Sequence, residues 1–166
     1  MIKILFVCWG NICRSPMAEY IMKTLVSDAG MESLFEITSA GVSREELGNP
    51  VYPPARRKLA EHGISCQGHR AHQITEREYR DADMILIMDR LNYRRIKEIN
   101  HGDPEHKISF LMDYTGTPRD IEDPWYTGDF EQAWEDIFAG CTGLLEELIS
   151  SPAQELTGQR KPSSHR

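Results

Sequence analysis

Short apolar runs alternate with longer amphipathic stretches along this chain. Ile2 to Val7 is apolar and largely β-branched apart from Lys3, the pattern of a buried strand. A turn from Cys8 to Arg14 follows. Ser15-Pro16 then opens a helix, because proline suits the first helical position. Met17, Ala18, Ile21, Met22, Leu25 and Val26 form its apolar face, and Gly30 stops it. Leu34 to Ala40 predicts a second strand, ended by Gly41. Next come a turn-rich loop, Ser43 to Pro54, and a basic helix, Ala55 to His62. Thr75 and Glu78 have capping-box spacing for a short helix. Met84 to Met88 predicts a buried third strand, Asp89 caps a helix ending near Gly102, and Lys107 to Leu111 predicts a fourth strand.

A long loop, Met112 to Gly128, precedes the last helix, and loops of this length inside compact domains are often functional. Asp129 caps that helix with Gln132 three residues on. Its apolar stripe runs through Phe130, Ala133, Trp134, Ile137, Phe138, Cys141, Leu144, Leu145, Leu148 and Ile149. The polar segment 151–166, with Pro152 and Pro162, reads as a disordered tail on a single domain of residues 1–150. Strands alternating with helices predict an α/β sandwich on a parallel sheet with right-handed crossovers. Ligands of such sheets sit at the carboxyl ends of the strands, which directs attention to the loop after the first strand.

Composition narrows the chemistry. An apolar fraction of 40 % supports one core, and no apolar run approaches the roughly 20 residues of a membrane helix. The apolar start is too short for a secretion signal, so a cytoplasmic location without membrane attachment is expected. The net charge is −7, and the segment after Ser150 is basic, so the body is more acidic still. That balance argues against nucleic acid as a partner, and an anion must be held by a local device against the overall field. Of the four cysteines, Cys8, Cys13, Cys66 and Cys141, none forms the paired spacing of a zinc site, so no metal is expected.

The loop Cys8-Trp9-Gly10-Asn11-Ile12-Cys13-Arg14-Ser15-Pro16 leaves a strand and enters a helix. A helix start offers unpaired N–H groups and partial positive charge, and a curled loop there can aim successive N–H groups at one anion. Gly10 and Asn11 tolerate the left-handed angles such a curl needs. Arg14 adds a planar fork for two phosphate oxygens. The same field favours the thiolate of Cys8, the nucleophilic form of cysteine, able to form a phosphocysteine. Ser15 is placed to donate to that sulfur. A lone cysteine is more often a buried core residue, but that alternative leaves Gly-Asn, the arginine and Ser-Pro unexplained. Asp123, in Ile121-Glu122-Asp123-Pro124-Trp125-Tyr126, is a candidate general acid steadied by Pro124, with Trp125 and Tyr126 as walls of a flat slot. By itself that segment reads equally well as an Asp-Pro turn.

Together these residues resemble the low-molecular-weight protein tyrosine phosphatases. The likeness rests on the C-x5-R segment followed by Ser-Pro and on the distal Glu-Asp-Pro-aromatic-Tyr. It extends over about residues 1–150, including Ser39-Ala40-Gly41, Gly68-His69-Arg70-Ala71 and Met88-Asp89. The resemblance implies a single-domain three-layer sandwich on a twisted four-stranded parallel sheet of order 2-1-3-4. It implies Cys8 as nucleophile, Arg14 as transition-state clamp and Asp123 as acid and then base. Trp9, Gly10, Asn11, Ile12, Cys13, Arg14 and Ser15 would bind phosphate, and Asn11, Ser15, Ser39 and His69 would hold the loop's shape. Cys13 would be a redox partner that forms a disulfide with Cys8 and protects it from irreversible oxidation. The implied substrate is a tyrosine-phosphorylated protein, with inorganic phosphate as product and competitive ligand, no metal or organic cofactor, and a monomer, weak dimerisation being the alternative.

Three alternatives belong to the same comparison. Arginine phosphatases similar to this family carry threonine where Ile12 stands, so Ile12 favours phosphotyrosine. Arsenate reductases of this fold need further cysteines near the middle of the chain, and Asp81 to Gly102 has none. A phosphocarrier domain would keep its phosphocysteine and has little use for Asp123. The chain also departs from the family. Glu45 stands about where eukaryotic members place a tryptophan, so one slot wall is charged and Trp9 is the compensating bulk. His72 stands where many members have arginine.

Overall fold

The computed structural model describes residues 1–150, so the segment 151–166 expected to be disordered lies outside the described residues. In chain order the elements are β1 (Ile2–Cys8), α1 (Arg14–Asp28), β2 (Phe35–Gly41), α2 (Pro53–Glu61), α3 (Glu76–Asp81), β3 (Met84–Ile87), α4 (Arg90–Ile99), β4 (Ile108–Phe110), α5 (Pro124–Thr127) and α6 (Phe130–Ser150). Single 3₁₀ turns, Glu32–Leu34 and Leu111–Tyr114, precede β2 and follow β4. The four strands form one parallel sheet in the order β2-β1-β3-β4, as the resemblance implied.

The period-2 geometry of the strands sorts their side chains into two cores. Ile4, Phe6 and Cys8 of β1 and Met84 and Leu86 of β3 face α1, α2 and α6, meeting Met17, Ile21, Leu59, Ile137, Cys141 and Leu144. Leu5 and Val7 of β1 and Ile85 and Ile87 of β3 face the other way, onto Tyr79 of α3 and Ile96 of α4. Both faces of the sheet are therefore covered, which gives the three layers and explains why the central strands carry almost no polar residues.

The differences from expectation have local causes. The first helix begins at Arg14 rather than Ser15. The loop from Met112 is broken by the 3₁₀ turn and by α5, which Pro124 opens and Asp123 caps through a bond from Trp125 N at 3.0 Å. Phe138 and Ile149 leave the predicted stripe and are 43 % and 47 % exposed. One residue beyond Ile137 is about 100° round the helix, so Phe138 is carried off the core face and stacks on Trp134 at 5.8 Å. Two α6 glycines admit the turn after β4. A Cβ on Gly140 would lie 2.5 Å from Leu111 Cγ, and one on Gly143 only 1.9 Å from the Tyr114 carbonyl oxygen. Among the described residues no helix is long and apolar enough to cross a membrane.

Candidate active site

The carboxyl end of β1 runs into the loop 8–13 and then into α1, so the loop lies over the helix start with its N–H groups unpaired by the helix. Asn11 is the turning point, at φ 61°, an angle that asparagine tolerates better than other side-chain-bearing residues. Its side chain points into the protein. Asn11 Nδ2 donates to Ser15 Oγ at 2.8 Å and Ser39 Oγ at 3.1 Å, and Oδ1 accepts from His72 N at 3.1 Å. His69 Nε2 meets the Asn11 carbonyl oxygen at 2.7 Å. Burial holds the His69 imidazole below its ordinary range, partly offset by that bond. The neutral ring therefore carries its proton on Nε2 and donates it to Asn11.

The loop is also held from β2. Val42 N donates to the Cys8 and Trp9 carbonyls, and Ser43 N to the Trp9 carbonyl, each at 3.0 Å. Gly41 makes this approach possible, since a Cβ there would stand 2.8 Å from the Trp9 carbonyl oxygen and 3.1 Å from Asn11 N. Ser39 Oγ donates a hydrogen bond to Glu19 Oε1 at 2.6 Å, and the buried Glu19 is balanced by Lys23 at 2.6 Å.

On the open side, Cys8 Sγ lies 3.0 Å from Ser15 Oγ. Ser15 Oγ also faces the Ala40 carbonyl at 3.2 Å. Because Asn11 already donates to it, the single hydroxyl proton is free to turn to the sulfur when the sulfur is anionic. Arg14 is only 1 % exposed. Its Nη1 donates to Asp89 Oδ2 at 2.7 Å and to the Ile121 carbonyl at 2.6 Å, while Nη2 faces Asp123 Oδ2 at 3.4 Å. Burial opposes the guanidinium charge, but Cys8, Asp89 and Asp123 around it outweigh that and raise its pKa. Arg14 Nε is buried without a partner among the described residues, so the Nε–Nη2 edge of the fork is available for two oxygens of a ligand.

These groups border one cavity of about 350 Å³. Cys8, Gly10, Ile12, Cys13 and Arg14 line it from the loop, Asp123 from the start of α5, and Trp9, Glu45, Trp125 and Tyr126 from its rim. All the predicted slot walls therefore converge. Trp9 Nε1 donates to Glu45 Oε1 at 2.8 Å, which makes the charged wall and its compensating tryptophan a single feature. The Asn11 side chain turns behind the loop, where it supports it with Ser15 and Ser39 as predicted, and so would meet phosphate through its backbone N–H alone. Cys8 and Cys13 are both free thiols. Burial, reinforced by Cys8 and Asp123, pushes the Cys13 thiol well up, so Cys13 stays protonated.

Several contributors were not singled out from the sequence. The sequence marks Asp89 as part of the resemblance and as a helix cap, which it is, through Asn92 N at 2.8 Å, without assigning it a place in the site. Its position at the carboxyl end of β3 was the available sign that it also faces the site. Glu19 had a sign too, as a carboxylate among apolar positions of α1. Tyr52 had none. Its ring packs 4.7 Å from Trp125, and its N–H donates to the Ile12 carbonyl at 2.9 Å. Glu46 also lines the cavity. Among the described residues no cluster of His, Cys, Asp and Glu is gathered that could hold a metal ion.

A thiol above a helix start, a buried arginine with a free edge and a carboxylate across a small cavity form a set suited to covalent transfer of an oxyanion. Known proteins share the sequence and the fold that hold this set. The family model of low molecular weight phosphotyrosine protein phosphatases matches residues 3–155. The Bacillus subtilis low molecular weight protein-tyrosine-phosphatase YfkJ is 38 % identical over 150 residues, covering 89 % of this chain and 96 % of that one. The Gallus gallus low molecular weight phosphotyrosine protein phosphatase is 38 % identical over 87 % of this chain and 94 % of its own. The YfkJ crystal structure superposes with a TM-score of 0.87 over 90 % of this chain and 96 % of that one. That of a Drosophila arginine phosphatase superposes at 0.83, with 31 % identity over 90 % and 99 %. With the loop, the clamp and the distal aspartate all lying inside the matched span, the chain belongs to the low molecular weight phosphotyrosine protein phosphatase family.

Proposed function

We propose that this chain hydrolyses phosphotyrosine in proteins through a phosphocysteine intermediate. The observation that carries the reading is the convergence of Cys8, the free edge of Arg14 and Asp123 on one cavity. The phosphate sits on the loop N–H groups and the Arg14 edge. Cys8 Sγ attacks phosphorus, the bond from phosphorus to the tyrosine oxygen breaks, and Asp123 gives that oxygen its proton. Water then attacks the phosphocysteine as the Asp123 carboxylate takes its proton. The S–P bond breaks with Ser15 Oγ donating to the departing sulfur, and inorganic phosphate leaves. Arg14 holds the equatorial oxygens through both steps. The ring of the substrate lies between Trp9 on one side and Trp125 and Tyr126 on the other. Cys13 acts only after a peroxide, itself reduced to water or an alcohol, has oxidised the Cys8 thiol to its sulfenic acid; the Cys13 sulfur then displaces water from that sulfenic acid to give a reducible disulfide. The reading carries with it a cytoplasmic monomer without a cofactor.

The likeness to the Drosophila arginine phosphatase makes phosphoarginine the alternative substrate. Ile12, a buried apolar member of the cavity wall, offers the guanidinium no hydrogen bond and favours tyrosine. The experiment is turnover of phosphotyrosine, phosphoserine and phosphoarginine peptides by wild type and Cys8→Ser. The expected result is hydrolysis of phosphotyrosine alone, abolished in Cys8→Ser while the variant still binds phosphate analogues. Activity retained without the thiol sinks the mechanism. A phosphocysteine that persists in wild type makes the protein a carrier.

A further inference from the structure

The rim of the cavity is electrically uneven, and one side, built by α4, is lined mainly by cations. Three surfaces flank the mouth. Glu45 and Glu46 line one. A hollow beyond Asp123 forms the second; Arg94 reaches its edge as well, but the carboxylates of Asp89, Asp120, Glu122 and Asp123 in its lining outnumber Arg90 and Arg94. Arg90 at its edge is engaged by Asp120 at 3.4 Å. The third is a groove of about 540 Å³ lined by Trp9, Leu91, Arg94, Arg95 and Lys97, with Glu98 bound to Arg95 at 3.6 Å. Trp9 belongs to this groove and to the catalytic cavity alike, so a chain leaving the cavity over Trp9 enters it directly.

Within the groove, Arg94 is exposed and makes no ion pair or hydrogen bond among the described residues. Lys97 lies over the Tyr93 ring at 4.3 Å, which leaves its charge unneutralised. Leu91, 50 % exposed, adds an apolar floor. Such a cationic shelf on a chain of net charge −7 is complementary to carboxylates, and the two remaining flanks repel them.

We infer that the preferred substrate segment carries acidic residues on one flank of its phosphotyrosine only, the flank that crosses Trp9 onto the Arg94 face of α4. From Leu91 to Lys97 the helix rises about 9 Å, the reach of about three extended residues, so the acidic positions are the first few beside the phosphotyrosine. The inference rests on the phosphotyrosine reading above and deepens it.

The test compares three phosphotyrosine peptides, with neutral flanks, with glutamates before the phosphotyrosine and with glutamates after it. Para-nitrophenyl phosphate serves as a substrate with no flanks. Wild type is expected to favour one acidic peptide over the neutral one by about fivefold in kcat/KM, through KM, while the other acidic peptide gains nothing. The preference should collapse at about 1 M salt, where the Debye length is about 3 Å. Arg94→Glu should reduce it below about twofold with para-nitrophenyl phosphate turnover unchanged. Equal rates on all three peptides, equal gain from both acidic ones, or a preference surviving Arg94→Glu each overturns the inference. So does an Arg94→Glu variant that treats the peptides as wild type does but loses binding to vesicles of anionic lipid, since the shelf would then serve a membrane. Failure of wild type on para-nitrophenyl phosphate strikes the phosphatase reading instead, so the two failures are distinguishable.

Discussion

Asp123 serves two ends with one carboxylate. Oδ1 accepts from Trp125 N at 3.0 Å and caps α5, while Oδ2 faces Arg14 at 3.4 Å. Replacing it with alanine removes both functions, whereas asparagine keeps a capping oxygen of similar quality and loses the transferable proton together with the charge that faces Arg14. Asp123→Asn is therefore expected to slow phenyl phosphate turnover by about 10²–10⁴-fold, the range for general acid catalysis, with Tm nearly unchanged. A dinitrophenyl ester, whose leaving group needs no proton, should lose far less. Equal losses on both esters, followed by stopped-flow absorbance, would remove Asp123 from the chemistry. Cys8 and Arg14 were legible because one short segment holds both, and the turn and helix start that unite them are local. Asp123 was legible only through its resemblance to a known motif, since by itself Asp-Pro is a turn. Gly41 and Tyr52 act by the close approach of segments distant in sequence, and such proximity leaves no mark in either segment alone.

At the scale of elements, the site depends on packing behind the sheet as much as on the loop. The turn Leu111–Tyr114 lies against α6 because Gly140 and Gly143 leave room for it, and the chain then passes Ile121, whose carbonyl receives Arg14. Helix propensity says that Gly143→Ala should stabilise α6 by about 1 kcal/mol. The structure predicts the reverse. A Cβ 1.9 Å from a backbone carbonyl oxygen cannot be accommodated by a rotamer change, and overpacking typically costs about 1–3 kcal/mol. Gly143→Ala should therefore lower stability in urea unfolding, and an increase would show that the turn moves freely. The helices and strands themselves were largely legible, since buried runs and capping pairs such as Thr75–Glu78 and Asp89–Asn92 are local signals. The sheet order was not. Alternating strands and helices fit several parallel orders, and only the resemblance selected 2-1-3-4. Asp136 interrupts the predicted stripe of α6 as a buried charge, held by Arg119 through two bonds at 2.8 and 2.9 Å, a pairing that no periodicity announces.

Across the molecule, the segment from Cys66 to Ile74 ties the loop 8–13, the end of β2 and α3 into one unit, and its two histidines give that unit a pH dependence. His72 O accepts from Gly41 N at 2.8 Å, and Ile74 N donates to the Gly41 carbonyl at 2.8 Å. His72 Nε2 meets Glu78 Oε2 at 2.7 Å, and that bond raises the His72 pKa against the effect of burial. His69 is shifted the other way, lowered by burial. An unfolded histidine titrates near about 6.5. Below that pH the unfolded chain takes up a proton that native His69 resists, so stability is lost as pH falls toward the depressed native value. The His72–Glu78 contribution is fully present below about 6.5 and is lost as pH rises through the raised native value. With the His72 side chain 44 % exposed, screening keeps its share under about 1 kcal/mol. The two effects bracket a maximum near the unfolded histidine value. Urea unfolding between about pH 5 and pH 8 should show stability falling on both sides of it. His72→Gln should flatten the alkaline limb and leave the acid limb, because His69, bound to the Asn11 carbonyl, is untouched. An alkaline limb unchanged in His72→Gln would mean that the Glu78 pair does not couple α3 to the loop. That outcome would leave the backbone bonds between Gly41 and the 72–74 segment as the link between α3 and the end of β2, on which the loop 8–13 is held.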